Sequence, residues 1–476
     1  MLILVKRNKN LKKGTIQEKN LENIKEKNMK KLVLVFVFML TLTLAACGTS
    51  LPNLDVEELD VPAVPSGLVQ GVTATEIKVG NTASKTGVFG AVGVPFSAAI
   101  KAVFDAYNAR EDVIQKINYI TYDDATDPSI GQTNVKKLVE EDKVFALVGH
   151  VGTGTVGATL PYLLENHIPM VYAATGINQL YFGDTPGNPI FAVQPIYKTD
   201  GRIAYARAIN EKLFGANGDQ KLASDAKVGV LYTNDDAGKS IAAGIIEEAK
   251  NQKRENDLIV MSFLTDTTES VVKSMMAKNP DVIIVAGNQA PFNEALIALD
   301  DQGSKTPVIT SYVNTNASTI TVQEYGFDVY GSAWIDIVDP EGTAGFAQSY
   351  WDFANLMIAS GNGQYAANAF AMAGYVAANV FLSGLQRVEG ELTFETFIQA
   401  MEAGPIDVPM GGEIDFSDGK RWGIASMALS KLVYTAQKVG DNPATPDVVE
   451  TDFVTPASHA FVKVAGIQSL DEIYGR

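Results

Sequence analysis

The residues able to do chemistry are few. Three histidines, His150, His167 and His459, stand too far apart for metal-ligand spacing, and one cysteine makes no internal disulfide. Gly152-Thr153-Gly154-Thr155-Val156-Gly157 matches the Gly-x-Gly-x-x-Gly dinucleotide fingerprint and lies between an expected strand and helix. The acid that should hold a ribose about 20 residues later is absent, because the next strand ends in Ala173-Ala174-Thr175. What the segment keeps is more general. Backbone N–H groups at a helix start, beside the hydroxyls of Thr153 and Thr155, suit a carboxylate or another acceptor. Ser84-Lys85-Thr86 lacks both phosphate-loop glycines, with Val79 and Ser84 in their places, which argues against ATP hydrolysis. Asp123, Asp124 and Asp127 precede Pro128 and read as caps for a turn and a helix. Ser224-x-x-Lys227 and Ser270-x-x-Lys273 stand after Lys85-Thr86-Gly87, the reverse of the order used by serine acylases. His150 has no orienting carboxylate nearby in sequence, so no nucleophile–base pair assembles and catalysis is not indicated.

The elements that must position these residues form two series. Strands are expected at 77–82, 117–122, 144–149 and 169–173, and again at 227–232, 258–263, 281–286 and 307–311. Between them Phe96, Ile100, Val103, Phe104 and Tyr107 fall at helical spacing after Pro95, read as a first helical position. Further helices are expected near 238–252, 268–278 and 291–302. The strands are rich in Val and Ile without clear alternation, as in a parallel sheet covered by helices on both faces. The predicted fold class is therefore α/β, with two doubly wound, Rossmann-like lobes in tandem. Long helices at about 343–360, 365–388 and 393–403 follow, then a β-turn segment around 413–420. No repeat with a period of 20 to 50 residues is present.

The 476 residues are 46% hydrophobic, enough for a sizeable core and more than one domain. The charge of 38 − 55 = −17 argues against a surface that neutralises nucleic-acid phosphates. The apolar run Leu32–Leu40 is short for a membrane span and follows Met29-Lys30-Lys31, as in an export signal. It ends in Leu44-Ala45-Ala46-Cys47-Gly48, which resembles the bacterial lipobox. That resemblance implies cleavage before Cys47 and lipidation of its thiol, with palmitate among the acyl groups. Residues 1–46 are then extension and signal peptide, and 47–75, with Pro52, Pro62 and Pro65, a tether.

With these pieces in place, the chain resembles the solute-binding lipoproteins of ABC importers, in the branched-chain amino acid and amide (Leu/Ile/Val-binding) branch of the type I periplasmic binding fold. The resemblance rests on Ile77-Lys78-Val79-Gly80 through Thr86-Gly87, Tyr122 to Pro128, Leu147 to Thr153, Ile168 through Thr175, Asn316-Ala317-Ser318 and the rhythm of Gly411 to Gly419. It implies lobe 1 at 76–195 plus 337–425, lobe 2 at 196–336 plus 426–434, and a C-terminal extension at 435–476 with no assigned role. It further implies a hinged cleft with Thr153, Ala173 and Thr175 meeting the ligand head, and Ser84, Thr86 and Phe89 on the loop over it. In lobe 2, Asp236, Gln289 and Tyr312 take the ligand positions, with Tyr312 where amino acid binders place an acid for the ammonium. An amide, a short peptide or another polar neutral solute is then as good a ligand as an amino acid. The implied protein is a monomer without cofactor or metal, held to the bilayer through Cys47 on the extracytoplasmic face and docking on membrane permease subunits. A ligand-sensing ectodomain and an exported enzyme are the alternative readings of the same scaffold.

Overall fold

Val- and Ile-rich runs bounded by polar loops become strands because both faces of each sheet are covered. The computed structural model describes residues 51–56, 58–87, 89–215, 218–337, 346–439 and 454–476. Cys47 and the expected signal segment lie outside the described residues. The first series runs β1 (Glu76–Ala83), α1 (Gly90–Asn108), β2 (Lys116–Asp123), α2 (Pro128–Lys136), β3 (Ala146–Val151), α3 (Thr153–Glu165), β4 (Met170–Ala174) and β5 (Ile190–Phe191). The expected first helix begins earlier than Pro95, which lies inside α1. A proline there removes one backbone donor, a loss offset by the buried face of Phe96, Ile100, Val103 and Phe104.

The second series runs α4 (Tyr197–Asn210), β6 (Val228–Thr233), α5 (Asp236–Asn251), β7 (Leu258–Phe263), α6 (Thr268–Met276), β8 (Val282–Ala286), α7 (Gln289–Asp301), β9 (Val308–Thr310) and β10 (Val329–Ala333). Then come α8 (Gln348–Ala359), α9 (Ala369–Gln386), α10 (Phe394–Glu402) and the short hairpin of β11 (Ile406–Val408) and β12 (Gly412–Ile414). The chain closes with β13 (Ser426–Thr435), the small pair β14 (Lys438–Val439) and β15 (Val454–Thr455), β16 (Ser458–Ser469) and α11 (Leu470–Tyr474).

The first sheet has the order β2-β1-β3-β4-β5 with every pair parallel. The second begins β7-β6-β8-β9-β10, the same winding pattern, again parallel. To it β13 and β16 add two antiparallel strands. This is the expected doubly wound α/β architecture. The helices α8 and α9 return to the first sheet's side, where α9 lies so close on α1 that a Cβ on Gly374 would stand 2.1 Å from the Phe96 carbonyl oxygen. Across the second sheet α4 and α5 do the same reciprocally: a Cβ on Gly201 would meet the Ile241 oxygen at 2.1 Å, and one on Gly244 the Lys198 oxygen at 2.0 Å.

Strand β16, which nothing in the sequence patterning marked, pairs with β13 from Thr435↔Ser458 to Ser426↔Ser469. It is anchored by a fully buried cation. The Arg207 guanidinium, on α4, donates to the carbonyl oxygens of Met427 (2.9 Å) and Gly466 (2.9 Å) and to Gln468 Oε1 (2.7 Å), and also pairs with Glu211. Removing one partner from such a cluster leaves several buried acceptors unpaired. Arg207→Leu should therefore lower the unfolding free energy by about 3 kcal/mol and raise amide exchange in 458–469 first. Unchanged exchange there would show that the clamp does not hold the strand.

Candidate ligand-binding site

In a sheet wound this way, the loops leaving the central strands diverge to opposite faces and open a crevice beyond the strands' carboxyl ends. Both sheets do this, and the four loops line one cavity of about 620 Å³. Ser84 follows β1, Gly152 and Thr153 follow β3, Asp235 and Asp236 follow β6, and Asn288 and Gln289 follow β8. The segments crossing between the sheets complete it, with Gln194 and Tyr197 from the first crossing and Trp334 to Ile337 from the second.

On the first sheet's side, α3 starts at Thr153 with Gly152 as its cap and no side chain on its first N–H groups. Gly152, Thr153 and Gly154 at that helix start line the cavity. Thr153 Oγ1 lies 2.9 Å from Thr175 Oγ1, and the Tyr197 hydroxyl sits beside both. The arrangement can receive an acceptor such as a carboxylate. Most of the remaining wall is apolar, with Phe89, Phe96, Trp334, Ile335, Phe370 and Met372.

A chain of phenols and an amide stiffens the floor. The Tyr172 hydroxyl donates to Gln194 Oε1 (2.9 Å), Gln194 Nε2 donates to the Tyr312 oxygen (2.8 Å), and Tyr312 donates to the Pro195 carbonyl (2.8 Å). Burial pushes the hydroxyls of Tyr172 and Tyr312 well above the ordinary phenol range, so they stay neutral. The Tyr312 ring lies 6.0 Å from that of Tyr197.

Of the residues expected at the site, Ser84, Phe89, Thr153, Asp236, Gln289 and Tyr312 line the cavity. Thr86, Ala173 and Thr175 do not. Thr86 is turned to Asp123, to whose Oδ2 its hydroxyl donates at 2.7 Å. Ala173 is buried within β4, and its neighbour Ala174 reaches the wall instead. Thr175 is buried behind Thr153. The acidic run behaves as capping residues. Asp123 accepts from Lys85, Thr86 and Ala125 backbone N–H groups, Asp124 from Thr82 and Ser84 hydroxyls, and Asp127 from the first turn of α2. In the second sheet Asp235, not Asp236, caps α5 through Gly238 N–H and also accepts from Thr233. Asp236 is left exposed in the first turn.

Tyr172, Gln194, Tyr197, Trp334, Phe370, Phe461 and Lys463 also line the cavity and were not anticipated. The only sequence signal was Pro195, which stands directly before the Ile196-Tyr197 helix start.

A match to the periplasmic binding protein family spans residues 76–437. The chain belongs to that family. No curated protein matches the sequence. Among solved structures, a branched-chain amino acid ABC transporter protein from Thermus thermophilus with bound valine aligns with a TM-score of 0.64 at 15% identity, covering 85% of this chain and 100% of that one. A fatty acid ABC transporter substrate-binding protein from Thermomonospora curvata aligns with a TM-score of 0.63 at 18% identity, over 87% and 96% of the two chains. A leucine-binding protein from Thermotoga maritima gives 0.60 at 15%, over 80% and 99%. At these identities the likeness is one of fold, the type I periplasmic binding fold.

Two buried ionisable groups near the crevice oppose each other in pH. Behind Tyr197 and Tyr312, Asp200 is fully buried, and desolvation pushes its carboxyl up to about 7 although Ser311, Ser332 and the Tyr312 N–H lie beside it. His150 in β3 is also fully buried, bonded through Nε2 to Thr159 Oγ1 at 2.8 Å, and desolvation pushes it down to about 4. Asp200 holds its proton more tightly folded than unfolded, so its contribution is present below about pH 4 and is lost as pH rises to about 7. His150 gives up its proton more readily when folded, so stability rises with pH between about 4 and about 6.5. The two therefore act in opposite senses over much of the same pH range. In denaturant titrations across pH, Asp200→Asn should add an upward slope over that window and His150→Gln a downward one. Parallel profiles for both variants and the natural chain would refute the assignment.

Proposed function

We propose that this chain is the extracytoplasmic solute-binding lipoprotein of an ABC importer, taking a small solute of the amino acid or amide class with an apolar body. The observation that carries the reading is the cavity itself. It lies at the switch points of two sheets, offers an N–H and hydroxyl cradle at Thr153 and is otherwise walled by aromatic and aliphatic side chains. The valine and fatty acid named for two fold neighbours are both carboxylates with apolar bodies, the chemistry such a wall suits.

The mechanism is hinge closure. In this reading a lobe built on the first sheet and a lobe built on the second are joined by the crossings near 192–196, 334–337 and 425. The solute head binds the Thr153 cradle first. Contacts with the second sheet's loops form only when the cleft closes, so their free energy shifts the population to the closed form. That form docks on the permease, and a separate ATPase supplies the energy. The reading is binding and not catalysis: the Thr153 and Thr175 hydroxyls bond to one another, and the one pairing of a histidine with a hydroxyl among the described residues, His150 with Thr159, is fully buried and does not line the cavity.

A zwitterion sets the stricter demand, because a buried ammonium needs an acceptor of charge. Tyr312 stays neutral and turned to Pro195. Of the three carboxylates that line the cavity among the described residues, Asp235 caps α5 and Asp336 pairs with Lys463, so we assign the role to Asp236 in the first turn of α5.

Calorimetric titration of the full-length protein in detergent with leucine, isoleucine and valine and with the matching carboxamides that lack the amino group (4-methylpentanamide, 3-methylpentanamide and 3-methylbutanamide) tests the class. Binding is expected for at least one pair, and Thr153→Ala should weaken it by roughly tenfold, the cost of a hydrogen bond to a charged or amide oxygen. Preference for the amide would assign Asp236 no ammonium; no binding by any of the six would overturn the class. The anchor is tested separately. Cys47→Ser should move the protein from the membrane fraction to the soluble one and abolish labelling by radioactive palmitate, and retention with label would refute lipidation at Cys47.

A further inference from the structure

The matched family segment stops at residue 437, yet β16, at 458–469, forms part of the cavity wall. Its alternation decides which residues do so. His459, Phe461 and Lys463 share one face, on which His459 and Phe461 are half-buried and Lys463 keeps contact with solvent, while Val462 and Val464 lie exposed on the other. His459 holds the strand's start against the body, its Nε2 at 2.8 Å from the Gln323 carbonyl oxygen and its ring stacked on Tyr325 at 5.9 Å. Phe461 and Lys463 reach the cavity. In register, Lys463 lies opposite Ser430 of β13, which lines the cavity too.

Among the described lining residues Lys463 is the one cation. Its Nζ is 2.7 Å from Asp336 Oδ2, and its side chain keeps 34% exposure. Asp336 lies in the crossing segment between the sheets, with its backbone N–H on the Met410 carbonyl at 2.7 Å. The pair therefore links the edge of the second sheet to the crossing. An ammonium has three donors and no acceptor, so one bond to Asp336 leaves donor capacity directed at the cavity. With the Ser430 hydroxyl alongside, this forms a second polar corner, built on a different sheet from the Thr153 cradle.

We propose that β16 is a specificity-determining strand: Lys463 and Ser430 hold an acceptor oxygen, from a carboxylate or a carboxamide, at the distal end of the solute, while Phe461 packs on its apolar body. This rests on the amino acid or amide reading above and sharpens it to solutes polar at both ends. A ligand with only an apolar tail leaves the Lys463 ammonium to Asp336 and water. A ligand with a distal oxygen joins the second sheet to the first through its own length, which ties specificity to closure.

The test compares three probes of one chain length on the full-length protein: norleucine, 2-aminoadipate and the side-chain amide of 2-aminoadipate. The last two replace the terminal methyl by a carboxylate or a carboxamide. The natural chain should bind at least one oxygen-bearing probe tenfold or more tightly than norleucine, and which one identifies the source of the acceptor. Lys463→Met should bring that ratio below twofold, Lys463→Arg should retain most of it, and Ser430→Ala should reduce it partway. If the natural chain binds all three equally, or the preference persists in Lys463→Met, the role of β16 is overturned while the class of solute stands. If none of the three binds, and the branched-chain amino acids and amides also fail, the class itself falls. Should Lys463→Met not fold, Lys463→Arg and Ser430→Ala carry the comparison, and an unchanged ratio in Ser430→Ala with a lost one in Lys463→Arg would still refute the two-donor corner.

Discussion

Everything at this site depends on a constraint of parallel sheets. A parallel strand must be reached by a crossover, and when successive crossovers leave toward opposite faces, the backbone parts at the carboxyl ends of the central strands. The chain meets this constraint twice, with the same strand order, β2-β1-β3 in one sheet and β7-β6-β8 in the other. The loops after β1, β3, β6 and β8 therefore all border the crevice, and no local preference of Ser84, Thr153, Asp236 or Gln289 would have gathered them otherwise. Residues with helical or strand neighbours are fixed by the core, and the site inherits that rigidity.

Within the crevice the division of labour follows desolvation. Aromatic and aliphatic side chains supply area, and few polar groups are allowed because each must be bonded. The floor shows how this is met: Tyr172, Gln194 and Tyr312 satisfy one another and end on the Pro195 carbonyl. Such a chain is worth more for orientation than for affinity. It holds three large side chains in place while presenting their apolar surfaces, so a ligand need not spend binding energy on ordering them.

Much of this was legible in the sequence. Strand positions read from Val/Ile runs fall within a residue or two of β1, β2, β6, β7, β8 and β9, because a covered parallel strand carries its own signal of continuous hydrophobicity. The loops of the crevice were legible for the same reason, being the ends of legible strands. The crossings were not. Gln194, Tyr197 and Trp334 lie where direction is set by the packing of one sheet's elements on the other's, and neighbouring residues carry no period that encodes it. Ala173, expected to act through its carbonyl, and Thr175, through its hydroxyl, illustrate a finer limit: side chains alternate along β4, and it is Ala174 that lies on the wall while its two neighbours are buried. The strand β16 was hidden differently. Its run Ala460-Phe461-Val462-Lys463-Val464-Ala465 alternates a cation and a phenyl ring with exposed valines, a pattern that reads as a surface edge unless the cavity beside it is known.

That edge position also explains the charge arrangement. A strand with an open edge invites pairing with other chains, and an inward-pointing lysine is one means by which natural sheets discourage it. Lys463 can satisfy this requirement and still be held in place, because Asp336 on the crossing segment supplies the counter-charge at 2.7 Å. The exposed valines on the opposite face carry no such charge, and the far end of the strand is fixed instead by Arg207, which ties Gly466 and Gln468 to α4. The Lys463 ammonium is thus held at the cavity by Asp336 before any ligand is considered. A solute with a distal oxygen would then meet an ammonium whose position the fold had already set.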